Sequence, residues 1–163
     1  MEVMPSHIDE SPLPHESVPD MVMRLCQEKA RACPVTERPV IAADTLVSLH
    51  GQPLGQPENL IHAKQMLQQL SGQRQSVWTA VCVRLGEQLL TESVTTHVQF
   101  RDISDAEIDV YLAHNDVLDK AGAYAIQAGA ASFITQVEGF LDNVMGLPVQ
   151  QTLRMLRTLE KIK

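Results

Sequence analysis

The sequence predicts one α/β domain. Three observations carry this reading: helical and strand-like hydrophobic patterns alternate along the chain, two β-rich runs around a Gly-Glu pair read as a hairpin, and no low-complexity linker interrupts them. With 163 residues, 44% hydrophobic and 20% charged, the chain has the length of one compact domain with a sizeable core.

The elements follow in order. Ser17, followed three residues later by Asp20 and with Pro19 in the first turn, marks a helix start. Met21, Val22, Leu25 and Cys26 then share a face, and the helix should run to about Ala32. "RPVIAADTLVSL" is rich in β-formers, is preceded by the Pro34 to Pro39 loop and meets a turn at His50-Gly51, so it reads as a strand. After Glu58 and Asn59, Leu60, Ala63, Leu67 and Leu70 recur at helical spacing, and Ser71-Gly72 supplies the stop. "SVWTAVCVRL" and "LLTESVTTHVQF" flank Gly86-Glu87; alternation of Val94, Thr96, Val98 and Phe100 makes them a hairpin and implies an antiparallel portion of sheet. Ser104 with Glu107 forms a capping box ahead of Ile108, Tyr111 and Leu112, and a last helix carries Val149, Leu153, Leu156 and Leu159. There is no internal repeat.

Charge and cysteine usage exclude several classes. Thirteen Lys and Arg against twenty Asp and Glu leave a formal net charge of −7, which opposes non-specific attraction to nucleic acid or an anionic membrane surface. Any phosphate chemistry must therefore rest on local basic residues. Cys26, Cys33 and Cys82 show no C-x-x-C spacing, so reduced thiols are expected rather than a disulfide framework or a zinc site. The start, "MEVMPSHIDESPLPHES", is polar and proline-rich without an apolar h-region, and no stretch approaches the length of a membrane span. A cytoplasmic protein is the expectation.

The residue demanding explanation is Asp44, an acid in the middle of an apolar run. Such a carboxylate must be paired, hydrogen-bonded or bound to a cation. Phosphate-loop, dinucleotide, H-E-x-x-H and G-x-S-x-G motifs are all absent. What remains are polar pairs at the ends of apolar segments: Asp9-Glu10, Glu28-Lys29, Asp44-Thr45, Asp119-Lys120 and, alone, Gln127. Singly these have plain readings as a turn, a solvated helix face, a hydrogen-bonded core carboxylate or loop punctuation. The six histidines show no ligand spacing. From the residues alone the chain is an α/β domain with a candidate acidic, metal-binding site.

A resemblance extends this. "IAADTLV", "GQPLGQP", "AKQMLQQLSG", "VWTAV", "DKAGAYAIQ" and "NVMGLPV" come in the order and spacing of the Maf family, the nucleoside triphosphate pyrophosphatases also called septum formation inhibitors; "IDESPLP" and "EKA" match upstream. The resemblance covers practically the whole chain. It implies an ITPase-like α/β fold with an elongated mixed sheet flanked by helices and two lobes around a central cleft. The implied reaction converts a nucleoside triphosphate to the monophosphate and pyrophosphate with Mg²⁺ or Mn²⁺. Asp44 matches the family's proton acceptor, Glu10 and Asp44 are the natural cation ligands, and Lys29 and Lys120 match motif lysines that would neutralise the triphosphate. Thr45 and Gln127 resemble the specificity positions, and "AYAIQ" looks like the branch acting on dTTP and UTP rather than on 7-methyl-GTP. A homodimer is also an expectation, since family members often form one.

The chain departs from the family pattern in three respects. A first strand followed by S-x-S-P-R-R and a helix is not present ahead of Met1, so two phosphate-binding arginines are missing and a sheet edge should be left open. Gln56 stands where the family has Lys. Gln75 and Ala128 replace the usual His and Gly. These leave a second reading beside the enzyme, that of a catalytically impaired binding or regulatory protein in cell division, and a third in which Met1 is an internal start.

Overall fold

Five strands in the order β2-β1-β3-β4-β5 form the sheet of the computed structural model, which describes residues 1–125, 129–139 and 147–162. In chain order the elements are α1 (Val18–Ala32), β1 (Val40–Leu49), β2 (Gln52–Leu54), α2 (Leu60–Leu70), β3 (Arg74–Leu85), β4 (Gln88–Phe100), α3 (Asp105–His114), β5 (Ile134–Glu138) and α4 (Val149–Ile162). The α/β class is as the sequence predicts. All pairings among the described residues are antiparallel, so the parallel pairing of a mixed sheet is not found within them.

Local chemistry explains the boundaries. Ser17 accepts a hydrogen bond from the Asp20 N–H at the start of α1, and Asn59 accepts from His62 N–H at the start of α2. Ser104 and Glu107 form the expected reciprocal cap on α3. His50 and Gly51 both lie at positive φ, 51° and 78°, and join β1 to β2 as a two-residue hairpin. β2, with Pro53 on the sheet's edge, and β5 were not legible as strands, being too short to show a period.

Strand alternation sorts the core into two layers. Trp78, Ala80 and Cys82 of β3 point to one face, where Val22, Leu25, Cys26 and Ala30 of α1 cover them. Val77 faces the other side, against Ala63, Met66, Leu67 and Leu70 of α2 and Ile108 and Tyr111 of α3. Val81 and Val83, on the same face farther along, meet Met155 and Leu159 of α4. Two helical stripes differ from expectation. Leu60 is exposed on α2, and α4 buries Thr152, Met155 and Leu159 while Val149 and Leu153 face outward.

One buried cation secures α1. Arg84, 8% exposed, donates from Nε to Ala30 O (3.0 Å) and from Nη2 to Cys33 O and Val35 O (both 2.7 Å), and Nη1 reaches Gly86 O (3.1 Å). These carbonyls include ones that a helix C-terminus leaves unpaired. Arg84→Met should therefore lower stability by about 2–4 kcal/mol, since it strands several carbonyls at once, and thermal unfolding would read this directly.

At α3, the Arg101 guanidinium and the Ser104 N–H hold Glu107 down at about 2, below its ordinary 4.5. A lowered carboxylate contributes stability that is present above the ordinary value and lost as pH falls through the lowered one. Urea midpoints should accordingly fall across the interval from 4.5 to about 2 in the wild type and fall less in Glu107→Gln.

Candidate active site

Val40 to Leu46 pair with β3 on one side of β1 but with no described strand on the other. A cavity of about 800 Å³ lies along this open edge, lined on one side by Glu10, Lys29 and Asp44 and on the other by Thr45, Gln56, Lys120 and Tyr124. The alternation of a strand explains how neighbours serve both sides. Asp44 stands opposite Ala80 and faces α1, whereas Thr45 stands opposite Thr79 and faces the other layer, where the two hydroxyl oxygens lie 2.9 Å apart.

Asp44 is the electrostatic centre. Its side chain is 9% exposed; Oδ1 accepts from Lys29 Nζ at 2.5 Å, and Oδ2 is enclosed with no partner among the described residues. Lys29, in the last turn of α1, also reaches Glu10 Oε1 at 2.7 Å, so one ammonium bridges two carboxylates. Desolvation raises the Asp44 pKa and outweighs the opposing pull of Lys29, while Glu10 adds a further upward push. Lys29 is also raised: burial acts downward, but its bonds to Asp44 and Glu10 prevail.

The segment carrying Glu10 is strapped onto α1 by Arg24. This arginine donates to Glu16 at 2.6 Å and to Ser11 O at 3.1 Å and reaches Glu28 at 3.3 Å, while Ser11 N–H closes a turn on Asp9 at 2.9 Å. Arg24 was missed in the sequence. The available signal was the helical i,i+4 spacing of Arg24 and Glu28.

Two loops form the far wall. Gly122 N–H donates to Gly55 O at 3.1 Å and Gln56 Nε2 to Asp119 O at 3.2 Å, which stitches "GQP" to "DKAG". Gly122 sits at φ 69° with Val47 3.2 Å from where a Cβ would stand, so only glycine brings this loop so close to β1. Lys120 lines the cavity with Nζ 3.4 Å from Asp119. The Tyr124 hydroxyl, missed in the sequence, is buried without a partner among the described residues, and its ring meets Phe100 edge-on at 5.0 Å. Gln127 lies outside the described residues.

The structure thus brings Glu10, Lys29, Asp44, Thr45 and Lys120 to one cavity. Its acidic side suits a hard divalent cation: two carboxylates converge on the Lys29 ammonium, and one Asp44 oxygen has no donor among the described residues. No cluster of three or more His, Cys, Asp or Glu suited to a metal occurs among the described residues, so water and phosphate oxygens would complete any coordination shell. All three cysteines are free, with Cys26 and Cys82 buried. No helix among the described residues is long and apolar enough to cross a membrane.

Comparison with known proteins places the chain in a family. The family model described as "Maf-like protein" matches residues 1–159. A protein of Anaeromyxobacter dehalogenans strain 2CP-1 named dTTP/UTP pyrophosphatase is 46% identical over 162 residues, covering 96% of this chain and 82% of the relative. Proteins of that name from Nitrosomonas europaea and Escherichia coli K12 are 45% and 40% identical, covering 93% and 96% of this chain and 77% and 81% of their own lengths. A match this long, along a chain whose sheet edge and cavity gather the motif residues, shows that the protein belongs to the Maf family.

Proposed function

We propose that this chain is a nucleoside triphosphate pyrophosphatase that hydrolyses dTTP and UTP at the β1-edge cavity. The observation that carries the proposal is the desolvated Asp44 carboxylate facing that cavity beside Lys29 and Glu10. The names of the relatives support the substrate class.

Asp44 accepts the proton of the attacking water. Desolvation makes the carboxylate a stronger base, and in the nucleotide-free protein Lys29 offsets its charge. The water oxygen bonds to the α-phosphorus, the bond from that phosphorus to the oxygen bridging to the β-phosphate breaks, and pyrophosphate leaves with the electron pair. Lys29 and Lys120, from opposite sides of the cavity, offset the charge that grows on the leaving group. A Mg²⁺ or Mn²⁺ ion held by Glu10 and Asp44 would supply further phosphate charge neutralisation. Thr45 places a hydroxyl on the opposite side of β1 from Asp44, the side we assign to the nucleoside, and Gln127 is assigned to the same recognition.

Pyrophosphate release from dTTP, UTP, CTP and 7-methyl-GTP tests this. Activity is expected on dTTP and UTP, falling about 10²-fold or more in Asp44→Asn, the range lost with a general base. A preference for 7-methyl-GTP would overturn the substrate assignment, and full activity in Asp44→Asn would overturn the mechanism. Removing divalent cations with a chelator should abolish turnover, and adding back Mg²⁺ or Mn²⁺ should restore it.

A further inference from the structure

We propose that Lys29 is a placeholder for the divalent cation, holding Glu10 and Asp44 together in the nucleotide-free protein and leaving them when nucleotide and metal bind. This rests on the reading of those two carboxylates as cation ligands and adds the competition that governs when a cation reaches them.

The geometry is specific. Lys29 Nζ lies 2.5 Å from Asp44 Oδ1 and 2.7 Å from Glu10 Oε1, so the ammonium sits where a bridging cation would and a cation could not share the position. The ammonium leaves the job incomplete: Asp44, with its side chain 9% exposed, keeps Oδ2 enclosed and without a donor among the described residues. A carboxylate in that state has unused acceptor capacity that a divalent ion would fill. Without Lys29 the two acids would repel each other across a partly desolvated gap.

Lys29 is also built to move. Its side chain is 21% exposed in the last turn of α1, with a four-carbon stem and the cavity beside it. Phosphate oxygens in the cavity would offer its ammonium new acceptors, so the incoming nucleotide draws off the placeholder while the cation replaces it. Metal binding without nucleotide should therefore be weak, and metal and nucleotide should each tighten the other.

Mn²⁺ binding to the nucleotide-free protein, followed by electron paramagnetic resonance, tests the idea without reference to turnover. Lys29→Gln should bind Mn²⁺ about tenfold more tightly than wild type, the scale of one partly exposed ion pair removed. Lys29→Arg, which keeps a bridging cation, should remain as weak as wild type. Lys120→Gln controls for the general field, because Lys120 lines the same cavity but pairs with Asp119. An unchanged or weaker affinity in Lys29→Gln, or an equal gain in Lys120→Gln, would overturn the proposal. The Mn²⁺-induced rise in thermal midpoint should likewise be larger in Lys29→Gln than in wild type, which gives a second readout if that variant is less stable. The outcomes separate the two readings: tighter Mn²⁺ binding without dTTP or UTP hydrolysis keeps the placeholder and removes the substrate assignment, and the reverse removes the placeholder alone.

Discussion

The buried pair between Asp44 and Lys29 is the constraint to which the rest of the structure answers. Taking a carboxylate out of water costs several kcal/mol even after relaxation, and a strand in an apolar layer cannot supply the remedy itself. The ammonium must come from elsewhere, and it comes from α1, a helix that reaches the sheet through Leu25, Cys26 and Ala30. Cys26 Sγ lies 3.3 Å from the carbonyl oxygens of both Ala42, two residues before Asp44 on β1, and Ala80, the β3 residue paired with Asp44. Arg84 binds Ala30 O in the same last turn of the helix that carries Lys29, so the position of Lys29 is held at the C-terminal end as well as by the helix face.

The stretch of β1 from Val40 to Leu46, which has no described strand beside it, carries this constraint into the cavity. An inner strand presents its two faces to two separate layers. Here one cavity touches both, with Glu10, Lys29 and Asp44 on the α1 side and Thr45, Lys120 and the stitched loops on the other. The separation suits a substrate with two unlike halves, a polyanion that needs cations and a base that needs hydrogen-bonding edges. In a chain with a net charge of −7, Lys29 and Lys120 place two cations at a cavity that Glu10, Asp44, Glu58 and Asp119 also line, so any polyanion there would meet local cations within an acidic surround.

The turn chemistry, caps and hairpin were legible in the sequence because each depends on residues within four or five positions of one another. Ser17, Asn59, the Ser104–Glu107 box and the Gly86-Glu87 turn all act as their spacing indicates. The faces of α2 and α4 were less legible, since periodicity shows where an apolar stripe lies but not how far its covering layer extends. Arg24 and Tyr124 escaped notice for a related reason. An arginine on a helix and a tyrosine in an apolar run look ordinary until their partners, the segment bearing Glu10 and the cavity wall, are brought in from distant sequence.

By itself the sequence determined the class of the fold, most element boundaries, the oddity of Asp44 and, through its motifs, the family. These follow from local propensity and from residue order, both present in one dimension. Only the tertiary structure decided that Lys29 spans Glu10 and Asp44, that Asp44 and Thr45 lie on opposite faces of one strand, and that one cavity touches both. Charge pairing at under 3 Å between residues 10, 29 and 44 depends on how a loop, a helix and a strand dock, which is fixed by long-range packing rather than by spacing along the chain.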